Sequence, residues 1–316
     1  MKKILVTGAA GFIGMHLSLA LQERGDAVFG YDNFNDYYSV ELKKKRSHLL
    51  QQQGIEILSA DLCDPKALAA CIDKHSITHV VHLAAQAGVR HSLLHPEEYV
   101  ASNLSGFVHL LETLKTRPSI RCVFASSSSV YGLNTHVPFA ETDPTDRPAS
   151  FYGATKKSNE LIAHAYHHTF NIPLIGLRFF TVYGPWGRPD MAYFSFTRAI
   201  CEGKPITLYG NGEVQRDFTY IDDIIKGIIT ALDHSIPFDI INLGNHQPET
   251  VNRLVDILES LLNKKAIRRF APLPAGDVPI TYADLTKSKR LLNYHPSIDL
   301  ETGLRHFTTW YVKAFP

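Results

Sequence analysis

Lys3-Ile4-Leu5-Val6-Thr7-Gly8-Ala9-Ala10-Gly11-Phe12-Ile13-Gly14 is the stretch from which the fold can be read. Ile4-Leu5-Val6-Thr7 is a short β-prone apolar run closed by glycine, and it reads as a buried strand. Three glycines come next at G-x-x-G-x-x-G spacing and open an amphipathic helix to about Arg24, with Leu17, Ala20 and Leu21 inward and Gly25-Asp26 as the stop. A second strand, Ala27-Val28-Phe29-Gly30-Tyr31, ends at Asp32. This is a βαβ unit with glycines at its first turn. Glycine lets the backbone approach a pyrophosphate, and the helix N-terminus offers free N–H groups and a positive dipole end. Asp32 stands where a carboxylate accepts hydrogen bonds from an adenosine ribose and repels a 2′-phosphate, so NAD is expected rather than NADP. Gly8, Gly11, Phe12, Ile13, Gly14 and Asp32 are the first candidate cofactor contacts.

The alternation continues downstream. Asn33 and Asn35 lie just past Asp32 and are placed at the adenosine, whereas the basic run Lys43-Lys44-Lys45-Arg46 reads as a solvated helix face. A third strand, Ile55 to Leu58, leads to Asp61-Leu62 at the adenine edge. A fourth, His79 to Leu83, ends in Ala84-Ala85-Gln86-Ala87-Gly88. Small residues at a strand's C-terminal end let a flat cofactor lie against the sheet, which nominates Leu83, Ala84, Ala85 and Ala87. Arg90 is assigned to a phosphate, against the plain alternative of a surface arginine. The next helix places Val100, Leu104, Phe107, Val108, Leu111 and Leu114 at helical spacing and carries Asn103, a further cofactor candidate. Strand five, Cys122 to Ala125, runs into Ser126-Ser127-Ser128-Ser129. Strand six, Leu174 to Phe180, carries Phe179 at the cofactor. After it the βα alternation breaks.

The expected architecture is therefore α/β: a Rossmann-like doubly wound parallel sheet with a smaller C-terminal substrate-binding lobe. The NAD-binding domain takes residues 1–180 plus about 218–245, and the lobe takes 181–217 and 246–316. Helices at 222–233, 251–262 and from Leu300, and a turn at Gly276-Asp277, are expected within these bounds.

Phe151-Tyr152-Gly153-Ala154-Thr155-Lys156 reads as the start of a helix running to about Phe170. Tyr152 and Lys156 are four apart and share a face. One positive charge at about 4 Å, with an effective dielectric near 20, favours the phenolate by roughly 4 kcal/mol, about three pKa units. Taken alone, Tyr-x-x-x-Lys is commonplace. Beside a cofactor turn and Ser127 it becomes a base, a cation and a hydroxyl donor.

Composition narrows the partners. The 32 Lys plus Arg nearly cancel the 31 Asp plus Glu, which argues against nucleic acid or an anionic membrane. Cys63, Cys71, Cys122 and Cys201 are scattered and read as reduced thiols of a cytoplasmic protein. No apolar run approaches the ~20 residues of a membrane span, and the glycines after Val6 argue against a signal peptide. His164, His167 and His168 share a helical face but lack a further ligand, so no metal is expected.

Taken together, these stretches resemble the extended short-chain dehydrogenase/reductase family of nucleotide-sugar enzymes, over essentially the whole chain. The run Arg178-Phe179-Phe180-Thr181-Val182-Tyr183-Gly184-Pro185-Trp186-Gly187-Arg188-Pro189-Asp190-Met191 and Arg216-Asp217-Phe218-Thr219-Tyr220-Ile221-Asp222-Asp223 are the more specific signals, and they look most like UDP-glucuronate 4-epimerases. The resemblance implies a tightly held NAD, a UDP-sugar substrate and a homodimer through the helices starting near Glu98 and Tyr152. It implies Ser127, Tyr152 and Lys156 as catalytic residues, Arg216 on the diphosphate, Tyr209 on the uracil, Asp277 by the ribose, and Thr207 as a further substrate contact. Related galactose epimerases often carry Arg before a Pro-Gly-Asp turn, where this chain has Leu273-Pro274-Ala275-Gly276-Asp277, so phosphate binding leans on Arg216 and Arg90. Dehydratase and decarboxylase relatives place acids at Ser128 or Ser129, and their absence here implies that elimination is not the reaction. Ser127, Ser128 or Ser129, together with Thr181, is expected to hold a C6 carboxylate, with Arg188 supplying the nearest positive charge at the pocket's edge or merely bracing its own loop. Thr181, where neutral-sugar epimerases usually carry Asn, weighs against UDP-glucose or UDP-N-acetylglucosamine. A non-catalytic NAD sensor is weighed against by the intact Ser127, Tyr152 and Lys156.

Overall fold

The computed structural model describes residues 1–274 and 277–315, so Gly276 of the expected turn lies outside the described residues. In chain order the elements begin β1 (Lys3–Thr7), α1 (Phe12–Glu23), β2 (Ala27–Asp32), α2 (Val40–Gln52), β3 (Glu56–Ser59), α3 (Pro65–His75) and β4 (His79–His82). Short α4 (His91–Leu94) and α5 (Pro96–Tyr99) lead through a π-helical segment, Val100–Ser105, into α6 (Gly106–Lys115). Next come β5 (Arg121–Ser127), α7 (Phe151–Phe170), β6 (Leu174–Phe179), β7 (Thr181–Tyr183), α8 (Ala192–Glu202), β8 (Pro205–Tyr209), β9 (Gln215–Tyr220), α9 (Ile221–Asp233) and β10 (Phe238–Leu243). The chain finishes with β11 (Pro248–Thr250), α10 (Val251–Leu262), β12 (Ile267–Ala271), β13 (Ile280–Thr281), α11 (Thr286–Leu292) and α12 (Leu300–Ala314).

Seven strands form one sheet in the order β10-β6-β5-β4-β1-β2-β3. The pairings of β1 with β2 and β4, β2 with β3, and β4 with β5 are all parallel. The order reverses between β1 and β4, which is where an open α/β sheet offers a ligand crevice at its strand C-termini. One face is filled by Leu5, Val80, Phe107, Leu110, Leu111, Leu114, Cys122 and Phe124, with the Phe107 and Phe124 rings 5.2 Å apart.

The chain divides into two compact units. The first comprises Met1–Gly132, Pro144–Arg178 and Ile225–Ile241, and the second Leu133–Asp143, Phe179–Ile224 and Asn242–Pro316. In the second, β9 pairs with β7, β11 and β13, and β8 pairs with β12. Ile206, Leu208 and Val255 form one apolar cluster there, and Tyr193, Phe194, Phe307 and Trp310 pack edge-on and tilted against one another in a second.

Two expectations are corrected. The apolar periodicity from Val100 does not run straight into the core. The π-helical segment holds more residues per turn and rotates the helix that continues from it, so Phe107, Leu110, Leu111 and Leu114 are buried while Val100 is 43 % exposed. The basic run is not a solvated face either. Lys43 and Arg46, three apart on α2, point inward and are buried, and only Lys44 and Lys45 are exposed.

Candidate active site

The glycine turn is packed so closely that side chains are excluded. Gly8 has φ +73° and donates its N–H to the Tyr31 carbonyl at 2.7 Å. A Cβ on Gly8 would stand 2.7 Å from the Ala84 nitrogen, and one on Gly14 would stand 2.0 Å from the Gly8 carbonyl oxygen. The turns after β1 and β4 therefore touch, at the point where the strand order reverses. Gly11 caps α1 without a side-chain hydrogen bond, so no side chain competes for the first N–H groups, as an anion site at a helix N-terminus requires. Phe12 is buried and Ile13 half-buried on the first turn of α1. This cradle fits a dinucleotide pyrophosphate.

Asp32 ends β2, buried, and its carboxylate is already engaged. Oδ2 accepts from the Ala10 N–H at 2.9 Å and Oδ1 from the Phe34 N–H at 2.8 Å. Burial pushes this carboxyl above the usual range, against those two donors and the charges of Lys43 and Arg46. Arg46 donates to the Ala10 carbonyl at 3.2 Å and to the Tyr38 hydroxyl at 2.7 Å. Lys43 donates to the Asn35 carbonyl at 2.5 Å. Asn33 donates to Asp61 Oδ2 at 2.8 Å, and Asn35 to Gln86 Oε1 at 2.8 Å. Asp61 is exposed, Leu62 buried, and Leu83, Ala84, Ala85 and Ala87 are half-buried after β4.

The segment after β4 is held by Asn103 and Gln86. Asn103 Oδ1 accepts from the Gln86 N–H at 2.8 Å, and its Nδ2 donates to the Gln86 carbonyl at 3.0 Å and to Thr155 Oγ1 at 3.1 Å. Asn103 thereby braces the turn after β4 against α7. Gln86, unassigned from sequence, is buried and reaches Glu98 as well as Asn35. Arg90 is exposed.

Ser127 ends β5, and Tyr152 and Lys156 stand on the first two turns of α7, in the same first unit. Ser150 caps α7, accepting from the Gly153 N–H at 3.1 Å, and a Cβ on Gly153 would lie 2.6 Å from the Ser129 carbonyl oxygen. The first turn of α7 thus lies directly on the serine run. Ser127 Oγ accepts from the Ser129 N–H at 3.1 Å, an acceptor role that leaves its hydroxyl proton for donation. Lys156 is buried and donates to the Ala125 carbonyl at 2.9 Å, and burial pulls its ammonium down to about 8. Tyr152 is half-buried. Its N–H donates to Ser92 Oγ at 3.1 Å, and its ring meets Tyr99 edge-on at 6.2 Å. Beneath the serines, Ser126 Oγ donates to Glu160 Oε1 at 2.6 Å. Ser128 and Ser129 are half-buried in a short 3₁₀ turn.

In the second unit, Phe179 is buried and Thr181, at the start of β7, is half-buried. Thr207 and Tyr209 project from β8 on the face opposite buried Ile206 and Leu208. Arg216 donates to the Gln215 carbonyl at 2.9 Å, and its NH2 lies 4.0 Å from Asp277. Arg188 forms a two-pronged ion pair with Asp190, at 3.1 and 2.5 Å. Asp217, missed from sequence, is fully buried and accepts from the N–H groups of Asn245, His246 and Ala283 and from Thr219 Oγ1. It fixes β9, and with it the backbone that carries Arg216.

The doubly wound sheet, the glycine cradle at its reversal point, and the Ser127 and Tyr152-x-x-x-Lys156 positions on β5 and α7 are the features of the short-chain dehydrogenase/reductase class. The chain belongs to the NAD dependent epimerase/dehydratase family, whose family model matches residues 4–244. It is 54 % identical to UDP-glucuronate 4-epimerase 1 of Arabidopsis thaliana, over 99 % of this chain and 77 % of that protein. Among solved structures, the UDP-glucuronic acid 4-epimerase of Bacillus cereus in complex with UDP-glucuronic acid and NAD superposes with a TM-score of 0.92 at 36 % identity, covering 99 % of this chain and 100 % of that one. The UDP-glucose 4-epimerase of Thermotoga maritima with UDP-glucose gives 0.91 at 29 %, covering 99 % and 100 %.

Proposed function

We propose that the protein is an NAD-dependent isomerase that inverts C4 of UDP-glucuronate to give UDP-galacturonate. The observation that carries this reading is the placement of Ser127, Tyr152 and buried Lys156 at the serine edge of a sheet whose glycine turn is shaped for a dinucleotide, in a chain 54 % identical to a UDP-glucuronate 4-epimerase. Bound NAD supplies the acceptor for the C4 hydride and returns it. Tyr152, as phenolate, takes the proton of the sugar 4-hydroxyl and later gives one back to O4. Ser127 donates a hydrogen bond to the same oxygen and shares its developing charge. Lys156 holds the nicotinamide ribose, and its positive charge favours the phenolate. Between the two hydride transfers the 4-keto sugar turns, so the hydride arrives on its other face. A 4-keto uronate loses CO₂ readily, and hydrogen bonds from Ser128 and Ser129 to the C6 carboxylate suppress that loss.

The first unit carries NAD, and the second grips the nucleotide through Thr207, Tyr209, Arg216 and Asp277. Thr181 favours the uronate over neutral sugars. The Arg188–Asp190 pair supports the reading in which Arg188 braces its own loop. The protein acts as a cytoplasmic homodimer through the outward faces of the Val100–Lys115 segment and α7. Val100 and Leu161, 43 and 60 % exposed, are the apolar side chains that support this packing. Among the described residues no helix is long and apolar enough to cross a membrane.

Incubating the purified protein with UDP-glucuronate, without added nicotinamide cofactor, and resolving the sugar nucleotides tests the reading. UDP-galacturonate is expected, with UDP-glucose a poor substrate. Equal turnover of UDP-glucose would replace this reading with a neutral-sugar epimerase.

A further inference from the structure

Two histidines and a glutamate converge on α4 and α5. His91 opens α4 and His95 stands just past its last residue, four positions on, so both imidazoles lie on one side of the turn. Their rings stack 4.3 Å apart at 25°. Glu98, on α5, reaches both: Oε2 is 3.0 Å from His91 Nε2, and Oε1 is 3.6 Å from His95 Nδ1. One ligand atom from each residue falls within 4.8 Å of the others.

Glu98 Oε2 also accepts from Gln86 Nε2 at 3.0 Å, which holds the carboxylate toward the two imidazoles, where a divalent ion can gather two ring nitrogens and a carboxylate oxygen on one centre. Zinc bonds of about 2.0–2.1 Å in a tetrahedron place ligand atoms roughly 3.3 Å apart; His91 Nε2 and His95 Nδ1 already stand 3.0 and 3.6 Å from different oxygens of the Glu98 carboxylate, so a small rotation of that carboxylate brings one oxygen to both. Two imidazoles and a carboxylate suit the zinc class of ions better than Ca²⁺ or Mg²⁺, which take mostly oxygen ligands. His95 and Glu98 are each about half exposed, so water can take the fourth position. The His164, His167 and His168 face offers no such set. His167 Nδ1 is bonded to the Ile172 carbonyl at 2.8 Å, and no third ligand joins His164 and His168 among the described residues.

We propose that His91, His95 and Glu98 form a site for one zinc-class ion, and that its occupancy tunes the support of Tyr152. Helices of four residues are marginal on their own, and both of these touch the catalytic tyrosine. Ser92, on α4, accepts from the Tyr152 N–H. Tyr99, on α5, packs edge-on against the Tyr152 ring and donates to the Ala87 and Gly88 carbonyls at 3.0 and 2.6 Å. An ion shared by the two helices ties these holds together.

The test is calorimetric titration of the chelator-treated holoprotein with Zn²⁺, with thermal unfolding monitored alongside. One ion per chain and a rise in Tm that saturates with Zn²⁺ are expected. His95→Gln and Glu98→Gln should each weaken binding by more than about tenfold and remove the Tm rise. His95→Gln should keep its metal-free turnover, which shows that the fold is intact. Zn²⁺ binding that is absent, that survives unchanged in both variants, or that is lost instead in a His164→Gln/His168→Gln variant would overturn the proposal.

Discussion

Arg178 and Glu160 form a buried, two-pronged ion pair. Arg178 Nε donates to Oε1 and NH2 to Oε2, each at 2.8 Å, with the guanidinium 4.8 Å from the Tyr131 ring centroid and Ser126 Oγ on the same carboxylate. This network joins β6, α7 and the end of β5, and so fixes the serine run relative to the helix that carries Tyr152 and Lys156. Removing one partner from such a pair strands the other charge, at a cost of about 3–5 kcal/mol. Glu160→Ala should lose that much in urea unfolding, and Glu160→Ala/Arg178→Met should recover a large part of it. A single-variant loss below ~1 kcal/mol would show that the pair is not what holds the three elements.

Tyr152→Phe deletes one oxygen and leaves the ring that packs on Tyr99. Epimerisation should fall by roughly 10²–10⁴-fold, the usual worth of a general base, while UDP-sugar affinity in equilibrium titration changes little. More than about a hundredth of the parent turnover would contradict the assignment.

Lys156 carries a stability cost with a definite sign. Its pKa falls from 10.5 to about 8 on folding, driven by burial. Between those values the unfolded chain binds more protons than the folded one, so this residue's contribution to stability rises with pH across that window. The shift corresponds to about 3 kcal/mol. Lys156→Met should lose activity, flatten this alkaline rise, and unfold no earlier than the parent at pH 7. Calorimetry at pH 7 and 9.5 on both proteins, with a turnover assay, checks all three, and the same alkaline rise in the variant would refute the attribution.

Arg46→Met removes a charged donor from the carbonyl of Ala10, inside the glycine turn. Hydrogen bonds to charged groups are worth roughly 1.5–3 kcal/mol, so NAD retention should fall by about 10- to 100-fold. Cofactor released on dialysis measures this directly, and unchanged retention would exclude a role for Arg46 in shaping the turn.

Ser129→Ala should lower turnover of UDP-glucuronate and release some decarboxylated pentose product, visible as UDP-pentose on chromatography. Product free of pentose, at the parent rate, would remove Ser129 from the carboxylate site.

Periodicity and turn chemistry are enough to read the sheet. G-x-x-G-x-x-G after β1, the strand ending at Asp32 and the 20-residue α7 are local signals, and each falls within a residue or two of its expected place. The inward turn of Lys43 and Arg46 is not legible, because four basic residues in a row look the same whether they face water or a buried carboxylate. The π-helical segment is hidden for a different reason: one extra residue per turn leaves the apolar spacing plausible while rotating it. Gln86, Glu160 and Asp217 escape a sequence reading because each is meaningful only through partners far away in the chain, such as Ala283 for Asp217, 66 residues on. His91, His95 and Glu98 escape it because they straddle two short helices, whereas the histidines of α7 stand at plain helical spacing.

The bond between Asp32 Oδ2 and the Ala10 N–H has an evolutionary consequence. The same carboxylate that would repel a phosphorylated ribose also closes the glycine turn proposed to cradle the pyrophosphate. A lineage moving toward the phosphorylated dinucleotide cannot simply exchange this acid for a neutral or basic residue, since the turn loses its clasp in the same step. The two changes are epistatic, and a substitution that re-anchors Ala10 must come first. A reconstructed path between the two cofactor preferences should therefore show an early, catalytically silent replacement around residue 10, with the exchange at residue 32 tolerated only afterwards.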